Sequence, residues 1–206
     1  MRMRRAILFA ATLATGLAPA VAQAHLLATG MGPIYDGISH YGLSPEDFLP
    51  VIALAFFAGL RGPAVARWTM AALCLGWMCG GALSFAGLIF PPTALPFATA
   101  ILFLAVGGFL AANLAVPPLA GLALAVALGL VRGAADLAGV VATPAHTLTL
   151  VGMTGAVFVT FALAASLTLP LKRMWMIVAV RVGGSWIAAL GLLLAGWIFR
   201  YGAAIG

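Results

Sequence analysis

LPFATAILFLAVGGFLAANL, residues 95–114, runs for twenty residues without one acidic or basic side chain. At about 1.5 Å of rise per residue, a helix of that length is about 30 Å long, the thickness of the hydrocarbon core of a bilayer. A helix is what such a stretch must form in lipid, because it satisfies its own backbone donors and acceptors. Five more apolar runs, at 45–60, 67–90, 118–132, 146–169 and 174–199, are separated by short turns rich in proline, glycine and arginine. The runs at 45–60 and 118–132 are short for a full crossing. The chain is 65% hydrophobic and 7% charged, with a mean hydropathy of +1.19, well outside the range of soluble domains. The expected fold is therefore an all-α membrane protein with about six transmembrane helices, its first partner the lipid bilayer. The net charge of +6 does not imply nucleic acid, because the positive side chains stand at the edges of apolar runs and make no basic face.

Residues 1–24 are set apart from this bundle. Arg2, Arg4 and Arg5 precede an apolar stretch from Ala6 to Pro19, and Ala22-Gln23-Ala24 supplies a small-x-small cleavage pattern. Read as a cleaved signal peptide, the segment leaves a mature chain that begins at His25, outside the membrane. Its loss would lower the formal net charge by three, from +6 to +3. Counting spans from that outside terminus puts Arg61 and Arg67, and later Lys172 and Arg173, in cytoplasmic turns, as the positive-inside rule asks. The expected location is the inner membrane of a bacterium.

Glycine and other small residues recur at helix-packing spacing: Gly76-x-x-x-Gly80-x-x-x-Ser84, Gly184-x-x-x-Ala188 and Gly191-x-x-x-Ala195. They predict close helix–helix seams. Cys74 and Cys79 share one run at a spacing that points them apart on a helix, so they read as packing residues and not as a disulfide.

The polar chemistry is concentrated. AHLLATGMGPIYDGISHYGLSPEDF, residues 24–48, holds three of the four acidic residues and two of the three histidines of the chain. On the expected topology His25, Asp36, His40, Glu46, Asp47, Asp136 and His146 all lie at the outer face. Residues 25–44 read as an outer polar segment, in which Gly32-Pro33 opens a short interfacial helix through Tyr41, with Ile34, Ile38 and Tyr41 on its apolar face. Asp36 and His40, four apart, would stack on the other side, where they can share a metal or orient one another. Ser44-Pro45-Glu46-Asp47 has the grammar of a helix start, with Ser44 as N-cap and Asp47 completing a capping-box-like arrangement. Thr143-Pro144-Ala145-His146 repeats it at the fifth span. Asp47 and His146 thereby occupy equivalent positions on two helices running in the same direction. A mature N-terminal His25 would offer its α-amino and imidazole nitrogens as a chelate. Arg132 and Asp136, four apart, read as a local pair. Arg181, about two turns into the last span, is either functional or reaches for the interface.

The N-terminal histidine, Gly30-x-Gly32, Gly37-x-x-His40 and Asp47 at the first span resemble the HupE/UreJ family of small membrane proteins, as a divergent branch. The overall plan covers the whole chain and the motifs cover about residues 25–61. Phe48 stands where the family's second histidine would be, and Arg132-Gly133-Ala134-Ala135-Asp136 is the counterpart of its histidine-rich fourth-span motif. The resemblance implies about six spans, a part in hydrogenase or urease maturation, and nickel as the transported ion, with a metalloenzyme-maturation or other membrane partner.

Residues and resemblance together lead to one expectation. The bundle of residues 45–206 binds and transports a divalent transition metal through an outer site made of His25, Asp36, His40, Asp47 and His146. Nitrogen and carboxylate ligands suit nickel first, with cobalt or zinc as alternatives. The competing expectation is a non-transporting accessory, an assembly partner or a metal sensor. An enzyme is not expected, since no nucleophile–base arrangement or phosphate loop is legible.

Overall fold

The computed structural model describes residues 29–88, 90–91, 93–113, 117–168 and 173–201. The expected signal segment and His25 lie outside the described residues. Among the described residues seven helices follow in order: α1 (Pro33–Leu43), α2 (Pro45–Gly59), α3 (Pro63–Phe85), α4 (Ala94–Ala112), α5 (Pro118–Asp136), α6 (Pro144–Thr168) and α7 (Met174–Tyr201). Five of the seven begin at a proline. Its fixed φ suits the first turn, and its missing N–H would have had no partner there.

Helices α3 to α7 are each long and apolar enough to cross a membrane. With α2 at 15 residues, about 22 Å, the sixth crossing requires α1 and α2 together, as one span bent by 76°. The bend has a local cause. Ser44 precedes Pro45, whose ring disfavours helical backbone in the residue before it, and Ser44 is extended at φ −100°, ψ 95°. The short first run is thus half of a broken helix. The fourth run extends four residues beyond 118–132, to Asp136, because Arg132 and Asp136 are paired inside the bundle and do not end the helix at water.

Small residues set the packing, as the sequence pattern predicts. Along α3, Gly76 meets Val126 and Gly129 of α5, and Gly80 meets Leu130 and Ala134. The two helices therefore run parallel with their backbones nearly touching. On α4 and α7 the order reverses, Gly107 facing Gly184 and Ala188 while Ala100 and Leu104 face Gly191, so that pair is antiparallel. The third seam lies on α6. Gly37 of α1 sits against the Thr149 carbonyl and Met153, Gly152 sits against Ile34, and further along Gly59 of α2 meets Ala165 and Thr168. A side chain at any of these glycines would strike backbone or a buried hydroxyl. The face that α1 turns to the bundle is therefore Gly37 and Tyr41, while Ile34 and Ile38 remain 42% exposed each.

Outside the seams the surface is apolar. Trp186, Leu193 and Phe199 on α7 are 73%, 70% and 93% exposed. Such a belt is stable only against lipid or another protein. The N-termini of α2, α4 and α6 and the C-termini of α3, α5 and α7 share one end of the bundle. Arg61, Arg67 and Arg173 stand at the opposite end. Arg181 donates from Nε to the Ala111 carbonyl at 2.7 Å, satisfying an orphan group in the last turn of α4.

Candidate metal centre

The break between α1 and α2 builds the site. On one continuous helix, His40 and Asp47 would share a face but stand about 10 Å apart along the axis. The 76° bend folds the last turn of α1 back over the first turn of α2. Tyr41 anchors that fold by packing edge-on against Trp77 of α3, with ring centroids 6.0 Å apart. His40, Asp47 and Asp136 each then offer one ligand atom, and the three atoms lie within 4.8 Å of one another. Among the described residues this is the one group of three or more histidine, cysteine or acidic side chains so arranged.

Arg132 organises the carboxylates. Its Nε donates to Asp47 Oδ1 at 2.6 Å and its Nη2 lies 2.5 Å from the same oxygen. Nη2 also donates to Asp136 Oδ1 at 3.0 Å, one turn along α5, and Nη1 reaches Thr99 Oγ1 of α4 at 3.4 Å. The side chains of Asp47, Asp136 and Arg132 are 0%, 3% and 8% exposed. One guanidinium on α5 thus reaches α2 through Asp47 and α4 through Thr99, beside Asp136 of its own helix. Breaking such a pair from one side is costly, because the surviving charge remains buried without its partner.

What the cluster leaves unsatisfied is informative. Both bonded carboxylate oxygens are Oδ1, whereas Asp47 Oδ2 and Asp136 Oδ2 are buried with no hydrogen-bond partner. Buried polar atoms are nearly always paired, so two orphaned carboxylate oxygens beside an imidazole call for a bound cation or a shared proton. Two carboxylates against one guanidinium also leave the ionised cluster with a charge of −1.

A cavity of about 940 Å³ reaches the cluster from the same end of the bundle. Its walls are mostly apolar, including Phe85, Leu88, Phe90, Val140 and Leu194, and its polar lining includes Arg132, Thr99, Ser84 and Glu46. Asp47, Asp136 and His40 are absent from the lining, so Arg132 is the part of the cluster that meets the cavity.

The sequence-predicted ligands are distributed as follows. His40 and Asp47 come together. Asp36 is not part of the group, and its Oδ1 accepts from the backbone N–H of Thr29 at 2.5 Å and from its hydroxyl at 2.7 Å. His146 has its Nδ1 2.7 Å from the Val141 carbonyl, which as an acceptor requires the proton on Nδ1. The Thr143 cap expected before it is present, with the backbone N–H of His146 donating to Thr143 Oγ1 at 3.1 Å. At Ser44 the corresponding expectation is corrected. Ser44 holds the N-cap position, but its side chain makes no cap bond, and the Asp47 carboxylate that would complete a capping box is committed to Arg132. Asp136 completes the group, although the sequence pattern pairs it only with Arg132 on the same helix. That pair is real, at 3.0 Å, but half of its meaning is the contact with Asp47 across the bundle. The available signal was the gathering of every acid at one end, together with Asp136 closing the fourth-span motif.

Comparison with family models, with curated proteins and with solved structures finds no match to this chain.

Proposed function

We propose that this chain is a multi-pass protein of a bacterial inner membrane that binds and transports a divalent transition metal, nickel first and cobalt or zinc next. His40, Asp47 and Asp136 form its outer site. The observation that carries this reading is the convergence of one imidazole and two buried carboxylates within 4.8 Å, with one oxygen of each carboxylate unpaired. One nitrogen and two oxygen ligands suit borderline metals such as Ni(II), Co(II) and Zn(II) better than Cu(I). A three-ligand site beside a guanidinium holds a divalent ion loosely, which suits a cargo that must leave again. The charge distribution supports an orientation with the site outside: Arg61, Arg67 and Arg173 stand at the end opposite the site, and the positive-inside rule favours that end as the cytoplasmic one. The resemblance of residues 25–61 to HupE/UreJ proteins supports nickel and a role in supplying a metalloenzyme.

The test is native mass spectrometry of the detergent-purified protein after growth with nickel, cobalt and zinc, followed by metal accumulation in cells. One retained ion, lost in His40→Ala, together with His40-dependent accumulation, is the expected result. Retention without accumulation would replace transport with sensing or assembly. A protein that holds none of the three ions would remove the metal reading altogether.

A further inference from the structure

The unpaired oxygens of Asp47 and Asp136 are sealed from solvent, and the cavity touches neither residue. The guanidinium of Arg132 stands at that boundary, bonded to both carboxylates on one side and lining the cavity on the other. A cation arriving through the cavity therefore meets Arg132 before it meets a ligand. It also meets a like charge competing for the same two acids. The cavity wall provides another acceptor for that charge. Glu46, next to Asp47 in the first turn of α2, is exposed and lines the cavity outside the buried ion pairs.

Resting on the metal reading above, we propose that Arg132 is a tethered cation that gates the site: an arriving divalent ion displaces it from Asp47 and Asp136 onto Glu46. The exchange conserves charge pairing at each step. In one arrangement the guanidinium neutralises the buried acids and Glu46 faces water. In the other the metal takes the acids and the guanidinium pairs with Glu46 in the cavity. An arginine suits this role because it stays charged in both places and its planar fork pairs with carboxylates from either side. Thr99, at 3.4 Å from Nη1 on the cavity side, offers an acceptor along the way.

The experiment is a double-mutant cycle on the full-length detergent-purified protein, with Ni(II) titrated against a competing chelator dye. Glu46→Gln removes the second berth for Arg132, and Ni(II) binding weakens at least fivefold. Arg132→Gln removes the competing cation, and binding tightens at least tenfold, the reverse of what a purely structural arginine would give. In Arg132→Gln/Glu46→Gln the effect of Glu46→Gln disappears, because no guanidinium needs the berth. Arg132→Lys serves if Arg132→Gln does not fold. Its single ammonium cannot fork across both acids, so Ni(II) binding tightens by less and stays sensitive to Glu46→Gln. A weaker affinity in both Arg132 variants, or an equal loss from Glu46→Gln with and without Arg132, would overturn the gate and leave the metal site standing. Absence of Ni(II), Co(II) and Zn(II) binding by the unaltered protein would overturn both.

Discussion

Arg132 and Asp47, 85 residues apart in sequence, meet inside the bundle with Nη2 2.5 Å from Oδ1. The contact joins the two carboxylates into one cluster, since Asp136 shares the same nitrogen. It fixes α2 against α5 at the end where the cavity opens. Fold and candidate function thus depend on the same three side chains, which allows stability and metal binding to be separated by choice of substitution.

Asp47→Ala leaves Arg132 buried with half its partners. The expected loss is about 3 kcal/mol of stability, the range found when a buried ion pair is broken from one side. Asp47→Asn retains the shape and an acceptor oxygen, so it destabilises less while still removing the ligand charge. Thermal unfolding in detergent checks the order: Asp47→Ala below Asp47→Asn below the unaltered protein. Equal melting temperatures for all three would mean that the pair contributes nothing to the fold.

His40, Asp36 and His146 separate the ligand set. His40→Ala lowers Ni(II) affinity by at least ~10-fold, since loss even of a group that merely supports a ligand costs that much. Asp36→Asn and His146→Ala leave the affinity within about twofold, because their side chains are engaged by Thr29 and by the Val141 carbonyl and lie outside the converging group. Competition titrations of the three variants decide the matter, and a loss at His146 equal to that at His40 would extend the site to α6.

The helices were legible from sequence because lipid imposes one rule along the whole chain: long apolar runs must be helical. Starts at Pro45, Pro118 and Pro144, and seams at Gly76, Gly80 and Gly184, carried local signals that do not depend on tertiary context. The cluster at Arg132 had no such signal. Spacing of four residues pairs Arg132 with Asp136 on any helix, but only the packing of α2 against α5 brings Asp47 to the same guanidinium, and only the bend at Ser44 adds His40. A capping grammar at Ser44 also had a competing use for Asp47, and a buried arginine outbids an N-terminal amide. Asp36 and His40 shared a face as expected, yet a threonine seven residues before Asp36 took its carboxylate. Local periodicity cannot rank such partners.

Ser84 tests the seam beneath the cavity. Its hydroxyl donates to the Ala134 carbonyl at 2.8 Å, within one turn of both Arg132 and Asp136. Ser84→Ala leaves that carbonyl without its side-chain donor in a buried setting, and the expected cost is about 1 kcal/mol. Metal affinity stays unchanged, since the hydroxyl bonds neither acid. A lowered melting temperature with an unaltered Ni(II) titration is the checking pair of measurements.

Gly37 and Gly155 form the most direct test that the α1–α6 contact positions His40. A methyl group at Gly37 would be driven into the Thr149 carbonyl and the Met153 backbone, whereas the same group at Gly155 has nothing within 4 Å. Backbone cannot yield as a flexible side chain can, so Gly37→Ala must push α1 off α6. His40, one turn further along α1, moves with it. Gly37→Ala should therefore lower both the melting temperature and Ni(II) affinity, the latter towards the level of His40→Ala. Gly155→Ala should hold both, or raise stability slightly through the better helix propensity of alanine. If Gly37→Ala bound Ni(II) as the unaltered protein does, His40 would owe its position to something other than this seam, and the bend at Ser44 alone would have to place it.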